Sequence, residues 1–360
     1  MDLTLSRYHQ ARLDLVSGIK ALVGYQISPK VRARYEKWAA DNAVPEAKLR
    51  DRAFLGGQVG RDPLYQASRG LQRITQEMMW REVAAALEAQ RRELESDLDR
   101  VVSGNGSLTL DPSLKLPAYF TETEFHLQPG GLWRDPLTGP IYEIGVQHFN
   151  LHRFGKSGAE MGLALLQAVA GRPVTRFLEL GCGPGYKMYP VLDAYPQAEA
   201  NGIDLSAALL KYAHRRALDH GKTVHYRQMN AEALDLPANR FDLVYNMILL
   251  HEVPVAATRR ILREALRVLE PGGLYADLDL PAYRDLDPFT AFMMDWDTDN
   301  NGEPFWRGYH ELDMKQEMID AGFTDVRFVQ VTSDALKNQG NYQGKWSYRV
   351  VLGTKPRAAS

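Results

Sequence analysis

The chain has 360 residues, 45% of them hydrophobic and 24% charged, with 29 glycines and 19 prolines. This excludes a disordered or collagen-like chain and is enough to bury one large core or two. Forty-three basic against forty-five acidic side chains leave a formal net charge of -2, so there is no bulk field to gather nucleic acid or anionic lipid.

One cysteine, Cys182, allows neither an internal disulfide nor a cysteine zinc site. No run approaches the ~18 unbroken apolar residues of a membrane span, and the first residues lack the basic-then-apolar pattern of a secretory signal. The expectation is a cytoplasmic protein with no membrane partner, no nucleic acid partner and no bound metal.

Residues 1–101 read as an all-helical domain, a lid or a dimerisation element, with turns marked by Ser28-Pro29, Val44-Pro45, Gly56-Gly57 and Asp62-Pro63. Leu5, Leu13, Val16, Ile19 and Val23 recur at helical spacing over 3–23. Trp80, Leu87, Leu94 and Val101, seven apart, with Val83 and Leu98 beside them, predict one long amphipathic helix over 74–101. Its apolar face suits intramolecular packing or the seam of a homodimer. Residues 102–140 form a Gly/Pro/Ser-punctuated linker and pocket-covering segment.

From 141 to 360 short apolar strands alternate with helical stretches, the pattern of a parallel α/β sheet with crossover helices. Seven strands are predicted, at 175–180, 199–203, 224–229, 241–248, 274–278, 326–331 and 347–353. Helices fit at 187–195, 206–220 and 256–269, the second capped by Ser206. The first strand runs into Gly181, Gly183 and Gly185, where backbone turns sharply and approaches a ligand without a Cβ in the way. The next strand ends on Asp204, at the carboxyl end where such folds bind ribose hydroxyls. Together they predict a nucleoside site.

Four blocks carry a resemblance. Glu179-Leu-Gly-Cys-Gly-Pro-Gly185 with Ile203-Asp204, Asn230-Ala231-Glu232 before Leu236-Pro237, Phe241-Asp242-Leu243-Val244, and Leu266-Arg-Val-Leu-Glu-Pro-Gly-Gly273 resemble, in order, the motifs of the class I S-adenosylmethionine-dependent methyltransferases. The resemblance covers about 140–355 and implies a seven-stranded, doubly wound Rossmann-like sheet behind the helical domain. It implies S-adenosylmethionine as cofactor, with Glu179, Gly181, Gly183, Gly185, Asp204, Asn230, Ala231 and Asn246 around it. Asn230 stands where the family often has an acid; an amide still accepts from the adenine amino group.

The implied reaction is in-line methyl transfer to a small-molecule acceptor. The alternatives are a non-catalytic S-adenosylmethionine-binding protein or a methyltransferase acting on a peptide; a nicotinamide oxidoreductase fits the G-x-G-x-G spacing poorly. His251, at the carboxyl edge after the fourth strand, is the candidate general base. The stretch 281–309 is too long for a simple connection and is expected to supply acceptor-binding Trp296, Trp306 and Tyr309. His126, Trp133 and His148, leading into the first strand, are the other acceptor-pocket candidates.

Overall fold

The computed structural model describes residues 3–100, 104–149, 160–331 and 348–357. Among these, one eight-stranded sheet runs in the order β1-β4-β3-β2-β5-β6-β8-β7. The strands are β1 (Ser107–Thr109), β2 (Arg176–Leu180), β3 (Glu199–Asp204), β4 (His225–Gln228), β5 (Phe241–Met247), β6 (Leu269–Asp279), β7 (Thr324–Val331) and β8 (Tyr348–Thr354). All neighbours from β1 to β6 pair in parallel, while β8 enters antiparallel between β6 and β7. The chain order reverses at β2, which lies between β3 and β5. In open α/β sheets that reversal opens a crevice at the carboxyl ends of the strands, and ligands bind there.

Seven strands match the sequence reading. The eighth, β1, comes out of the predicted linker and pairs Ser107 with His225. Three residues are too few to show a periodicity. Gly106, at φ +129°, permits the approach: a Cβ there would lie 2.7 Å from the Val224 carbonyl.

The N-terminal helices are α1 (Arg7–Leu22), α2 (Ser28–Asp41), α3 (Glu46–Leu49), α4 (Arg52–Val59), α5 (Pro63–Glu88) and α6 (Arg91–Asp99). Ser28-Pro29 does not make a turn. A π-helical stretch over Val23–Ile27 carries the chain from α1 into α2, a widening that relieves the clash a proline ring makes with the preceding turn. Asp62-Pro63 is a helix start, the Asp62 carboxylate accepting from the amides of Leu64 at 2.8 Å and Tyr65 at 3.2 Å. The helix expected over 74–101 is α5 and α6, broken at Ala89 and Gln90; Val101 lies outside the described residues.

Trp80, Val83, Leu87 and Leu94 nevertheless share one buried cluster with Leu13 and Val16 of α1 and with Leu137, Ile141 and Ile144. The last two belong to α8 (Thr138–Phe149), which follows the short α7 (Ala118–Thr121). Of the two readings of this face, intramolecular packing is the one the structure shows.

The sheet is flanked by α9 (Glu160–Ala168), α10 (Tyr189–Ala194), α11 (Ala207–Asp219) and α12 (Val255–Val268). Ser206 caps α11 as expected, its hydroxyl accepting from the Leu209 amide at 3.1 Å. The long connection after β6 is helical: α13 (Pro288–Asn300) and α14 (Trp306–Glu311) precede α15 (Met314–Ala321). Asp, Thr and Asn over 295–301 read as loop, but Phe289 and Phe292 pack against Tyr35 and Tyr65 and Asp287 caps the helix through the Thr290 amide at 3.0 Å. No helix among the described residues is long and apolar enough to cross a membrane.

Gly145 of α8 lies directly beneath the Trp80 ring, where a Cβ would come within 2.0 Å of it. Gly145→Ala is expected to lower the denaturant midpoint, because overpacking costs about 1–3 kcal/mol against the fraction gained in helix propensity. Gly18→Ala, on the exposed face of α1 with nothing within 4 Å, is expected to raise it by about 0.5–1 kcal/mol. Equal shifts would remove the Trp80 contact.

His310 of α14 is buried, stacks on Tyr283 with ring centroids 4.6 Å apart, and hydrogen-bonds the Pro281 carbonyl through Nδ1 at 2.6 Å. Burial pushes it down to about 4. An unfolded histidine titrates near 6.5, so between these values the unfolded chain binds the extra proton and stability falls as pH drops through the window. The wild type should lose up to about 3 kcal/mol more than His310→Gln between pH 7 and 4, measured by urea denaturation.

Candidate functional site

β2 delivers the chain into a loop whose three glycines all need the left-handed region: Gly181 at φ +62°, Gly183 at +52° and Gly185 at +79°. They do different work. A Cβ on Gly185 would lie 2.5 Å from the Tyr226 hydroxyl, and one on Gly181 2.5 Å from the Leu249 side chain, whereas one on Gly183 would meet nothing within 4 Å. Gly183 thus opens onto a pocket that Asp204, Asn230, His126 and Tyr142 also line. Asp204 holds the loop from β3, its carboxylate accepting from the amides of Gly183 at 2.9 Å and Ser206 at 2.8 Å. Cys182 is fully buried and burial pushes its thiol up, which suits a small filler rather than a nucleophile.

Of the residues expected around the cofactor, Gly181, Gly183, Asp204, Asn230 and Ala231 line this pocket, and Lys187, which the sequence reading overlooked, joins them. Lys187 is buried and donates to the Met247 carbonyl at 3.1 Å. Glu179 sits beneath the loop, fully buried, with Oε1 lacking a hydrogen-bond partner; burial pushes its carboxyl up to about 8. Asn246 is elsewhere. Its amide donates to Asp277 at 2.8 Å and its carbonyl accepts from Tyr275, so both polar ends are spent inside the sheet.

The acceptor candidates separate more sharply. His126 lines the pocket with Phe125, Tyr142 and Glu252. Trp133 does not: its indole donates to the Thr121 carbonyl at 3.4 Å. His148 faces α1, with Nδ1 2.9 Å from the Ser17 hydroxyl. Trp296 packs in the cluster of Tyr35 and Tyr65, under Arg69. Tyr309 donates to Asp277 at 3.0 Å, and the Trp306 ring stands edge-on to His251. Trp306 and Tyr309 both stand against His251, behind the wall. From 281–309 it is Glu303 that reaches the wall, through His126.

His251 is also behind the wall. It is buried, with Nδ1 2.5 Å from Asp279 and Nε2 3.4 Å from Glu252. Burial opposes its proton, but the charge and hydrogen bond of Asp279 and then Glu252 hold it up to about 10, the wrong protonation state for a base at neutral pH. Glu252 continues the chain of contacts: the same Oε1 lies 3.1 Å from His126 Nε2, and His126 Nδ1 meets Glu303. Burial would raise Glu252, yet His126 and His251 hold it well below the usual carboxylate range. Carboxylates and imidazoles alternate from Glu303 to Asp279.

The backbone is strained to build this wall. His126 and Leu127 are both left-handed, at φ +56° and +63°, and Ile248, a β-branched pocket residue, is at +58°. Such positions cost about 1–3 kcal/mol each and persist where the surroundings over-determine them. Here the His126 carbonyl accepts from Gln76 Nε2 at 2.9 Å and Trp80 Nε1 at 2.6 Å, both donors fully buried in α5. Gly302, at φ +71°, lets Glu303 approach: a Cβ there would lie 2.4 Å from the Glu124 carbonyl.

A family model described as a methyltransferase domain matches residues 177–273. The ubiquinone biosynthesis O-methyltransferase of Methylococcus capsulatus is 38% identical over 107 residues, 29% of this chain and 42% of that protein. The trans-aconitate 2-methyltransferase of an Azoarcus species is 36% identical over 112 residues, 30% of this chain and 42% of that protein. The ubiquinone/menaquinone biosynthesis C-methyltransferase of Shewanella frigidimarina is 27% identical over 219 residues, 55% of this chain and 83% of that protein. The chain thus spans less than half the length of the first two relatives. The residues fit S-adenosylmethionine, since an open cradle at Gly183 and the Asp204 carboxylate border one cavity and Glu179, just before the loop, is a buried carboxylate whose Oε1 has no hydrogen-bond partner, and residues 177–273 match the methyltransferase domain family.

Proposed function

We propose that this chain transfers a methyl group from S-adenosylmethionine to a small-molecule acceptor held between the glycine loop and the His126–Glu252 wall. The observation that carries the reading is one cavity bordered both by Gly183, Asp204 and Asn230 and by His126, Tyr142 and Glu252. S-adenosylmethionine supplies an activated methyl on a sulfonium centre. Glu179 would take its ammonium, Lys187 its carboxylate and Asp204 its ribose hydroxyls, with Met229 to Ala231 beside adenine. Acceptor and sulfonium must be in line, so positioning and the exclusion of water by Phe120, Phe125 and Tyr142 carry most of the acceleration. His251 is a positioning residue that orients Glu252, which reaches the pocket itself.

The test is to incubate the purified chain with S-adenosylmethionine and a metabolite pool and follow products by mass spectrometry. A methylated product formed one-to-one with S-adenosylhomocysteine supports the reading. Tight cofactor binding with no product across a broad panel supports a binding protein instead.

Gly183→Ala, which puts a methyl into the open cradle, and Asp204→Ala should each weaken S-adenosylhomocysteine binding by about 1–3 kcal/mol, roughly 10- to 100-fold. Unchanged affinity of both variants in calorimetry would move the cofactor elsewhere. With an acceptor in hand, His251→Gln should lower kcat by less than the roughly two to four orders of magnitude typical of a lost general base. A drop of that full size, with loss of the lower limb of the pH–rate profile, would make His251 the base after all.

A further inference from the structure

We propose that His126, Glu252 and Glu303 bind one first-row divalent cation on the wall of the pocket. One ligand atom from each residue lies within 4.8 Å of the others. An imidazole with two carboxylates suits Mn²⁺, Fe²⁺, Co²⁺ or Zn²⁺ better than Ca²⁺ or Mg²⁺, which prefer oxygen alone, or the soft ions that need thiolates. Three protein ligands are the number that leaves coordination positions open. Since His126 and Glu252 both line the pocket, the open positions are within reach of water or of acceptor oxygens.

An independent observation asks for a cation here. Glu303 is 0% exposed, and while its Oε1 meets His126, its Oε2 has no hydrogen-bond partner. A buried carboxylate oxygen left unpaired is costly, and Glu252 Oε2 is a second such atom within the same three-residue cluster. In the metal-free chain the proton between His126 and Glu303 satisfies one oxygen of this carboxylate and neither of the two orphaned atoms; a cation bound by the set engages them. Further out, the ligand set is braced: His251 contacts Glu252 at 3.4 Å and is itself held by Asp279 at 2.5 Å. Outer partners of this kind orient metal ligands and are worth about 10- to 100-fold in affinity.

The inference stands on the cluster and not on methyl transfer, so its test reads binding. The full-length chain, stripped with a chelator and dialysed, is titrated with Co²⁺ while the visible d–d bands and the bound stoichiometry are followed. About one equivalent should bind. Glu303→Gln should weaken it at least tenfold, while S-adenosylhomocysteine affinity and the melting temperature without metal stay near wild type. His126→Asn, chosen because asparagine tolerates the left-handed backbone, keeps the test open should Glu303→Gln fail to fold, and should weaken Co²⁺ binding likewise. Wild-type binding no stronger than that of a folded variant, or no d–d spectrum at saturating Co²⁺, would overturn the proposal. Loss of S-adenosylhomocysteine binding in the wild type would instead speak against the cofactor site and leave the metal result to be judged separately.

Discussion

Two hydrogen bonds from α5 to the carbonyl of His126 are the constraint on which the pocket wall depends. Gln76 and Trp80 donate them from fully buried positions, and they hold a non-glycine residue in the left-handed region that it would otherwise leave. Gln76 is in turn fixed by Lys20 of α1 at 2.9 Å, and Trp80 sits against Gly145 of α8 with no room to spare. The N-terminal helices therefore set the direction in which His126 points. Strain stored in the wall is balanced by the burial of Trp80, Val83 and Leu87 around it.

The second feature of the site is how much charge it buries. Taking a carboxylate out of water costs several kcal/mol unless partners restore what water supplied. From Glu303 through His126, Glu252 and His251 to Asp279, each carboxylate faces an imidazole, so every ionised group finds an opposite charge next to it. The arrangement keeps Glu252 ionised at the pocket surface, and leaves the acids in excess. Beneath it Asp277 lies between Asn246 and Tyr309 and is pushed up to about 7, first by burial and then by the charge of Asp279. An acid raised this far carries less than a full negative charge near neutral pH. Such pairings make the wall specific in geometry rather than strongly stabilising.

The cofactor side of the protein was legible because its requirements are local. A mostly apolar strand, glycines where φ must be positive and an acid at the end of the next strand lie within 28 residues, counting from Phe177 to Asp204. Local sequence and backbone need thus coincide. Asn246 shows the limit of the same logic: its place after a strand is visible, but its amide is consumed by Asp277 and Tyr275 across the sheet, pairs that depend on register. Trp296 and Trp306 mislead for a related reason. Aromatic residues among acids look like a binding surface, yet α13 and α14 turn them inward, against other helices.

The sequence alone determined the α/β class, seven of the eight strands, the glycine loop and the acid that ends the next strand, since each follows from periodicity or from backbone demands within a short stretch. Of the wall opposite it offered His126 alone. His126, Glu252 and Glu303 are drawn from three distant segments, His126 and Glu303 being 177 residues apart, and no spacing rule links them. Tertiary structure decided that set, as it decided that His251 stands behind Glu252 and that the Trp80 face closes inside the chain. The physical reason is the same in each case: packing and charge pairing act between residues that are close in space, whatever their separation along the chain.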